Sequence, residues 1–175
     1  MRLIEKPKDG EFPPYANMYI KLLPDDGLLL KHLHDNFNIT KELIFSLPEE
    51  KLNYRYAANK WTIKEILVHI IDDERIYTYR ALRFARNDKT VLPGFEQDDY
   101  ATYSAANERS IENIFEEYEA VRKSTIALFN GLPEDSFLRS GIANNNKVAV
   151  RALAYHIAGH ELHHINIIKE KYLQL

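Results

Sequence analysis

Four stretches of the chain place apolar residues at the three- and four-residue spacing of a buried helix face, and no stretch alternates in the manner of a strand between hairpin turns. Leu30, Leu33, Phe37, Ile44 and Leu47 mark the first, from about Asp26 until Pro48 closes it. The second opens near Trp61, with Thr62 and Glu65 in the pattern of a capping box. It carries Ile66, His69, Ile70, Asp73, Ile76, Tyr77 and Arg80 on one broad face and ends around Asn87. The third, from about Ser104 to Phe129, is stopped by the run NGLP at 130–133. The fourth runs from about Lys147 to Leu173, after a loop containing Gly141 and Asn144, Asn145 and Asn146. Four such helices predict an all-α four-helix bundle over residues 25–175, an architecture whose interior commonly houses metal sites. Residues 1–24, with Pro7, Pro13, Pro14 and Pro24, predict an extended N-terminal arm.

Composition narrows the chemistry. There is no cysteine, so disulfides, thiolate metal sites and a cysteine nucleophile are excluded, and any metal must be held by His, Asp or Glu. A net charge of −3 supplies no positive field for phosphates, so no nucleic-acid partner is expected. No apolar run approaches the ~20 residues of a membrane span, and the N-terminus lacks the apolar core of a signal peptide, which predicts a cytoplasmic chain without a membrane partner.

The histidines are concentrated where a metal would want them. Four of the seven lie between His156 and His164. His156, His160 and His164 recur every four residues and so form one stripe, with His163 at its edge. Two imidazoles at i and i+4 can reach one ion, but spacing does not choose between the pairs 156/160 and 160/164. Two ligands are too few for a tight site, and His69, on the inward face of the second helix, is the candidate third. Asp73, one turn further on, is placed to fix the tautomer of a ligand imidazole.

Two motif matches fail on inspection. His160-Glu161-Leu162-His163-His164 satisfies the zinc-peptidase pattern H-E-x-x-H, in which the Glu activates water. Its extended form is broken because Ile167 and Glu170 stand where Gly and His belong. The di-iron pattern needs a second Glu-x-x-His, but Glu65 and His69 are four apart. Glu161 stays a weak catalytic candidate beside Asp73 and Arg80. The arginines of the second helix, Arg75, Arg80, Arg83 and Arg86, suit carboxylate or phosphate binding. Arg80 and Arg83 are candidates for a substrate mouth or for pairing with Asp98 and Asp99, and Tyr15, Tyr19, Tyr54 and Tyr56 for covering the open end of a site.

Taken together, Lys60-Trp61-Thr62-Ile63-Lys64-Glu65, His69, Asp72-Asp73-Glu74-Arg75, the run from Tyr79 to Asp88 and Gly159-His160-Glu161-Leu162-His163-His164 resemble the DinB-like family of metal-binding four-helix bundles, over about residues 25–173. That family includes the YfiT-type metal-dependent hydrolases and the thiol-dependent transferases. The resemblance implies His69, His160 and His164 as ligands of a divalent ion, zinc or nickel, with His156 and His163 as neighbours. It also implies a homodimer acting on a small-molecule substrate. It leaves two enzymatic outcomes, hydrolysis by activated water or transfer of a low-molecular-weight thiol, and a third, a non-enzymatic metal-binding or stress-response module.

Overall fold

The computed structural model describes residues 2–175. In chain order its elements are α1 (Asn17–Ile20), α2 (Leu29–Phe45), α3 (Glu49–Leu52), α4 (Ile63–Ala85), α5 (Gln97–Tyr103) and α6 (Ile111–Gly131), followed by the strands β1 (Ser140–Ala143) and β2 (Asn146–Ala149) and by α7 (Val150–Ile167). The last helix continues through Ile168–Leu173 as a π-helical stretch.

The four long helices form the bundle expected from the periodicity, in an order the periodicity does not reveal. α4 packs along α6 and α7, and α2 packs along the same two helices from the opposite side. Helices α2 and α4 are therefore diagonal, as are α6 and α7, and two of the connections cross an end of the bundle. Local chemistry fixes where these helices begin. The Thr62 hydroxyl accepts from the Glu65 amide (3.1 Å), and Glu65 Oε2 accepts from the Thr62 amide (2.7 Å), closing the capping box. The Ser110 hydroxyl accepts from the Asn113 amide (3.2 Å) and starts α6.

The core is split along the bundle axis. One apolar cluster gathers Leu29, Leu33, Tyr77, Phe84, Phe129 and Leu153, the other Phe37, Ile44, Ile70, Ile114, Tyr118 and Ile165. A buried polar belt lies between them. Arg122 donates from Nε to Glu74 Oε1 (3.0 Å) and from Nη2 to Glu74 Oε2 (2.8 Å) and to the Tyr118 hydroxyl (3.0 Å). Its Nη1 lies 2.9 Å from Glu161 Oε2, an ion pair without hydrogen-bond alignment, and the Thr40 hydroxyl donates to Glu161 Oε1 (2.9 Å). Burial of three charges is tolerated because each is matched: the guanidinium meets two carboxylates and the Leu33 carbonyl.

Three details depart from the sequence expectation. The arm is extended only over its first part. Pro14–Ala16 and Asn17–Ile20 are helical turns, since proline is excluded from helix interiors but suits a first turn. The segment 140–149 is a hairpin and not a loop. Asn144 and Asn145 both take positive φ (48° and 59°), which the two-residue turn requires and asparagine tolerates. Gly141 is needed there because a Cβ would sit 2.2 Å from the Phe84 ring. Finally, α5 lies in the stretch between the second and third helices that was expected to be loop, and the third helix begins at Ile111 rather than near Ser104.

The arm is tied down along its length. The Ile4 amide donates to the Gly27 carbonyl (2.9 Å), the Tyr155 hydroxyl donates to the Ile4 carbonyl (2.9 Å), and Arg151 holds Glu11 (2.6 Å) and Glu5 (2.9 Å). At its end α1 lies so close to α7 that a Cβ at Gly159 would be 2.3 Å from the Tyr19 carbonyl oxygen. A glycine in a helix interior costs about 0.5–1 kcal/mol relative to alanine, and here it admits the arm onto the histidine stripe.

Candidate metal centre

Helices α4 and α7 are direct neighbours, and His69 and His160 face each other across their seam. His69 Nε2 is 3.1 Å from His160 Nε2, and His164 Nε2 is 3.0 Å from the same atom. One nitrogen from each of His69, His160 and His164 lies within 4.8 Å of the others. His69 and His160 are buried, and His164 is partly exposed. The Trp61 ring lies against His69 at 4.7 Å between centroids.

The helical phase that brings His160 to the seam sends its neighbour elsewhere. Glu161, one residue on, points into the polar belt, where Arg122 and Thr40 engage its carboxylate. The sequence candidate for a water-activating glutamate is thus occupied as part of the core. The same division holds on α4, where Glu74 joins the belt and Asp73 turns to the seam.

A second group adjoins the first and shares His160. Asp73 Oδ2 lies 3.2 Å from His156 Nε2 and 3.4 Å from His160 Nδ1, yet neither approach has hydrogen-bond alignment. Asp73 Oδ2 and both ring nitrogens of His156 are therefore buried polar atoms with no partner, which each cost roughly 1–3 kcal/mol unless something else satisfies them. The His156 ring is held by parallel stacking on Tyr77 (3.8 Å between centroids, 4° between planes) and by the edge of Tyr19 (4.8 Å). Tyr77 was visible in the sequence only as an inward aromatic, and nothing in the spacing marked it as a partner of His156.

A cavity of about 270 Å³ opens onto this second group, lined by Tyr15, Tyr19, Asp73, Arg80, His156 and His160 among others. A second cavity, of about 200 Å³, lies against His164, Trp61, Tyr56 and Tyr172. Helix α5 sits between the two, with Gln97 in the first and Asp98 in the second. The arm tyrosines thus border the site, and Tyr54 packs edge-on against Tyr172. Among the helix-two arginines only Arg80 reaches the cavity. Arg75 pairs with Glu117, and Arg83 pairs with Asp88 rather than with Asp98 or Asp99.

Burial sets the protonation of the cluster. It pushes His160 and His164 well below the ordinary imidazole value, and the neighbouring imidazoles add to the shift. Burial also lowers His69, against an opposing pull from Asp73. Neutral rings with free lone pairs are the form that binds metal. The unfolded chain protonates these rings below about pH 6.5, whereas the fold resists. Stability is therefore unchanged by them above that pH and lost as pH falls toward and through their folded values. The melting temperature of chelator-treated protein is expected to level off above about pH 6.5 and to fall from there to pH 5, with a shallower fall in His164→Gln. A flat profile in both would show that the rings are not held neutral.

The fold and sequence have close counterparts. The profile of the DinB superfamily matches residues 32–168, and the chain belongs to that superfamily. A protein of Oceanobacillus iheyensis that carries the name "Putative metal-dependent hydrolase" is 28% identical over 142 residues, which cover 80% of this chain and 81% of the relative. Among solved structures, YfiT from Bacillus subtilis, described as a probable metal-dependent hydrolase with an unusual four-helix bundle topology, superposes with a TM-score of 0.76. That superposition covers 97% of this chain and 93% of YfiT at 12% identity, a likeness of fold.

Proposed function

We propose that the protein is a metal-dependent hydrolase of small molecules, with a divalent ion held by His69, His160 and His164. The observation that carries this reading is the convergence of three Nε2 atoms, two pairs of which are 3.1 and 3.0 Å apart. Ligand nitrogens about 2.0–2.1 Å from a tetrahedral ion stand ~3.3 Å from one another, and both of these separations are close to that value. Three imidazoles and no thiolate suit zinc or nickel and leave a coordination position for water or substrate.

An ion there supplies Lewis acidity, which acidifies water and polarises a scissile carbonyl. The chain's own residues do the rest. Asp73, after a small rotation of its carboxylate, accepts a hydrogen bond from His160 Nδ1–H and so keeps the Nε2 lone pair toward the ligand cluster. His156 Nε2 lies 3.2 Å from Asp73 Oδ2, on the cavity wall and on the side of His160 away from the cluster. The apolar flank of α4, with Ile66 and Ile70 buried beside His69, keeps water from that side of the cluster. The names of the relatives support hydrolysis over thiol transfer.

Stripping the protein with a chelator is expected to abolish hydrolysis of a panel of small esters and amides. Reloading with zinc or nickel should restore it. Activity that is unaffected by chelation would overturn the hydrolytic metal reading, as would a fully loaded protein inert across the panel.

A further inference from the structure

Among the described residues three arginines are buried, and two of them are clasped by acids. Arg122 meets Glu74 and Glu161, and Arg151 meets Glu5 and Glu11. Arg80 is the exception among the described residues. It is only 5% exposed, and its one hydrogen bond within the protein runs from Nη2 to the Pro93 carbonyl (2.9 Å). Buried charges are nearly always paired, so a guanidinium left with a single neutral acceptor is positioned for a partner from outside.

The surroundings say where that partner sits. The guanidinium lies over the Tyr77 ring at 5.0 Å and faces Phe95 at 6.0 Å, so its plane is fixed between aromatic faces. Tyr77 in turn stacks on His156, and His156 on His160 at 5.4 Å. Arg80 thus stands two aromatic layers from the ligand cluster, on the wall of the same cavity, with its Nε and Nη1 donors free.

We propose that Arg80 anchors a carboxylate of the substrate, which makes the substrate a small carboxylic acid carrying its scissile bond on the side toward His160. This rests on the hydrolytic reading above for the bond's fate but not for the binding. A fixed fork of donors matches a carboxylate in paired hydrogen bonds. Asp73 and Glu96 line the same cavity and repel any anion, a phosphate dianion more strongly than a singly charged carboxylate. The volume of about 270 Å³ restricts the ligand to a small molecule.

The test uses chelator-treated full-length protein, so that its outcome is independent of the metal reading. Benzoylglycine, its neutral amide and phenyl phosphate are titrated against wild type, Arg80→Gln and Arg80→Lys, followed by NMR including the arginine Nε–H signals. The expected result is that wild type binds the acid at least about tenfold more tightly than the amide, the scale of a charge-assisted hydrogen bond. Arg80→Gln should lose that preference, and Arg80→Lys should keep part of it. Equal binding of acid and amide, an acid preference that survives in Arg80→Gln, tighter binding of phenyl phosphate, or no binding of any probe each overturns the proposal. If Arg80→Gln does not fold, the acid-against-amide comparison in wild type decides. Loss of hydrolysis on chelation belongs to the earlier reading and leaves this result untouched.

Discussion

His160→Ala is expected to lower divalent-metal affinity by more than about a hundredfold and to abolish metal-restored hydrolysis. Removing an outer partner of a ligand typically costs about 10–100-fold in affinity, and His160 is more than an outer partner. Its Nε2 is the atom that both other imidazoles approach, and its Nδ1 faces Asp73, so one ring joins the two groups of the seam. Asp73→Asn, which keeps the shape and removes the charge, should fall in the 10–100-fold range. His163→Ala provides the control. That ring touches the Tyr19 edge and lies outside both groups, so metal affinity should be unchanged. Competition titration against a chromophoric chelator measures all three. Equal losses in His160→Ala and His163→Ala would mean that disturbance of α7, and not ligation, is being read.

The second large effect concerns stability. Arg122→Met should destabilise the fold by about 3–5 kcal/mol, because breaking a buried ion pair leaves charges uncompensated. Here two carboxylates are stranded, with Glu74 1% and Glu161 0% exposed. Replacing all three as Glu74→Gln, Arg122→Met and Glu161→Gln should recover much of the loss, since the cost lies in unmatched charge rather than in missing attraction. Chemical denaturation of the single and triple variants decides. A small loss in Arg122→Met, below about 1 kcal/mol, would show that water reaches the belt. The belt also bears on the site, because Glu74 and Glu161 are the chain neighbours of Asp73 and His160. Matching Arg122 to both fixes how α4 and α7 sit against each other, and hence the separation of the imidazoles.

The bundle was legible because its four long helices bury broad apolar stripes, and a stripe is a local pattern. His69 could be placed inward for the same reason, and Thr62 and Glu65 marked the start of α4 because a capping box is written in adjacent residues. The order of the helices around the bundle was not legible, since any helix with an apolar stripe can face any other. Glu161 shows the same limit at one residue. Its spacing from His160 matched a peptidase motif, but the side chain answers to Arg122, which is distant in sequence. The hairpin at 140–149 escaped because its strands are four residues each and its turn is built from asparagines that equally well suit a loop. α5, with sequence QDDYATY, is too short and polar to show a face. The second group at the seam was missed for a related reason. His156 lay on the stripe, but its coupling to Asp73 and Tyr77 depends on the packing of α4 on α7.

The most direct test of the account is the metal content of untagged protein, by mass spectrometry, in wild type and His69→Ala. Near-stoichiometric divalent metal in wild type, lost in the variant, is the predicted result, because a site bridging α4 and α7 fails without the α4 ligand. A wild type that takes up no metal even after reloading would contradict the account, and so would a variant that retains it in full.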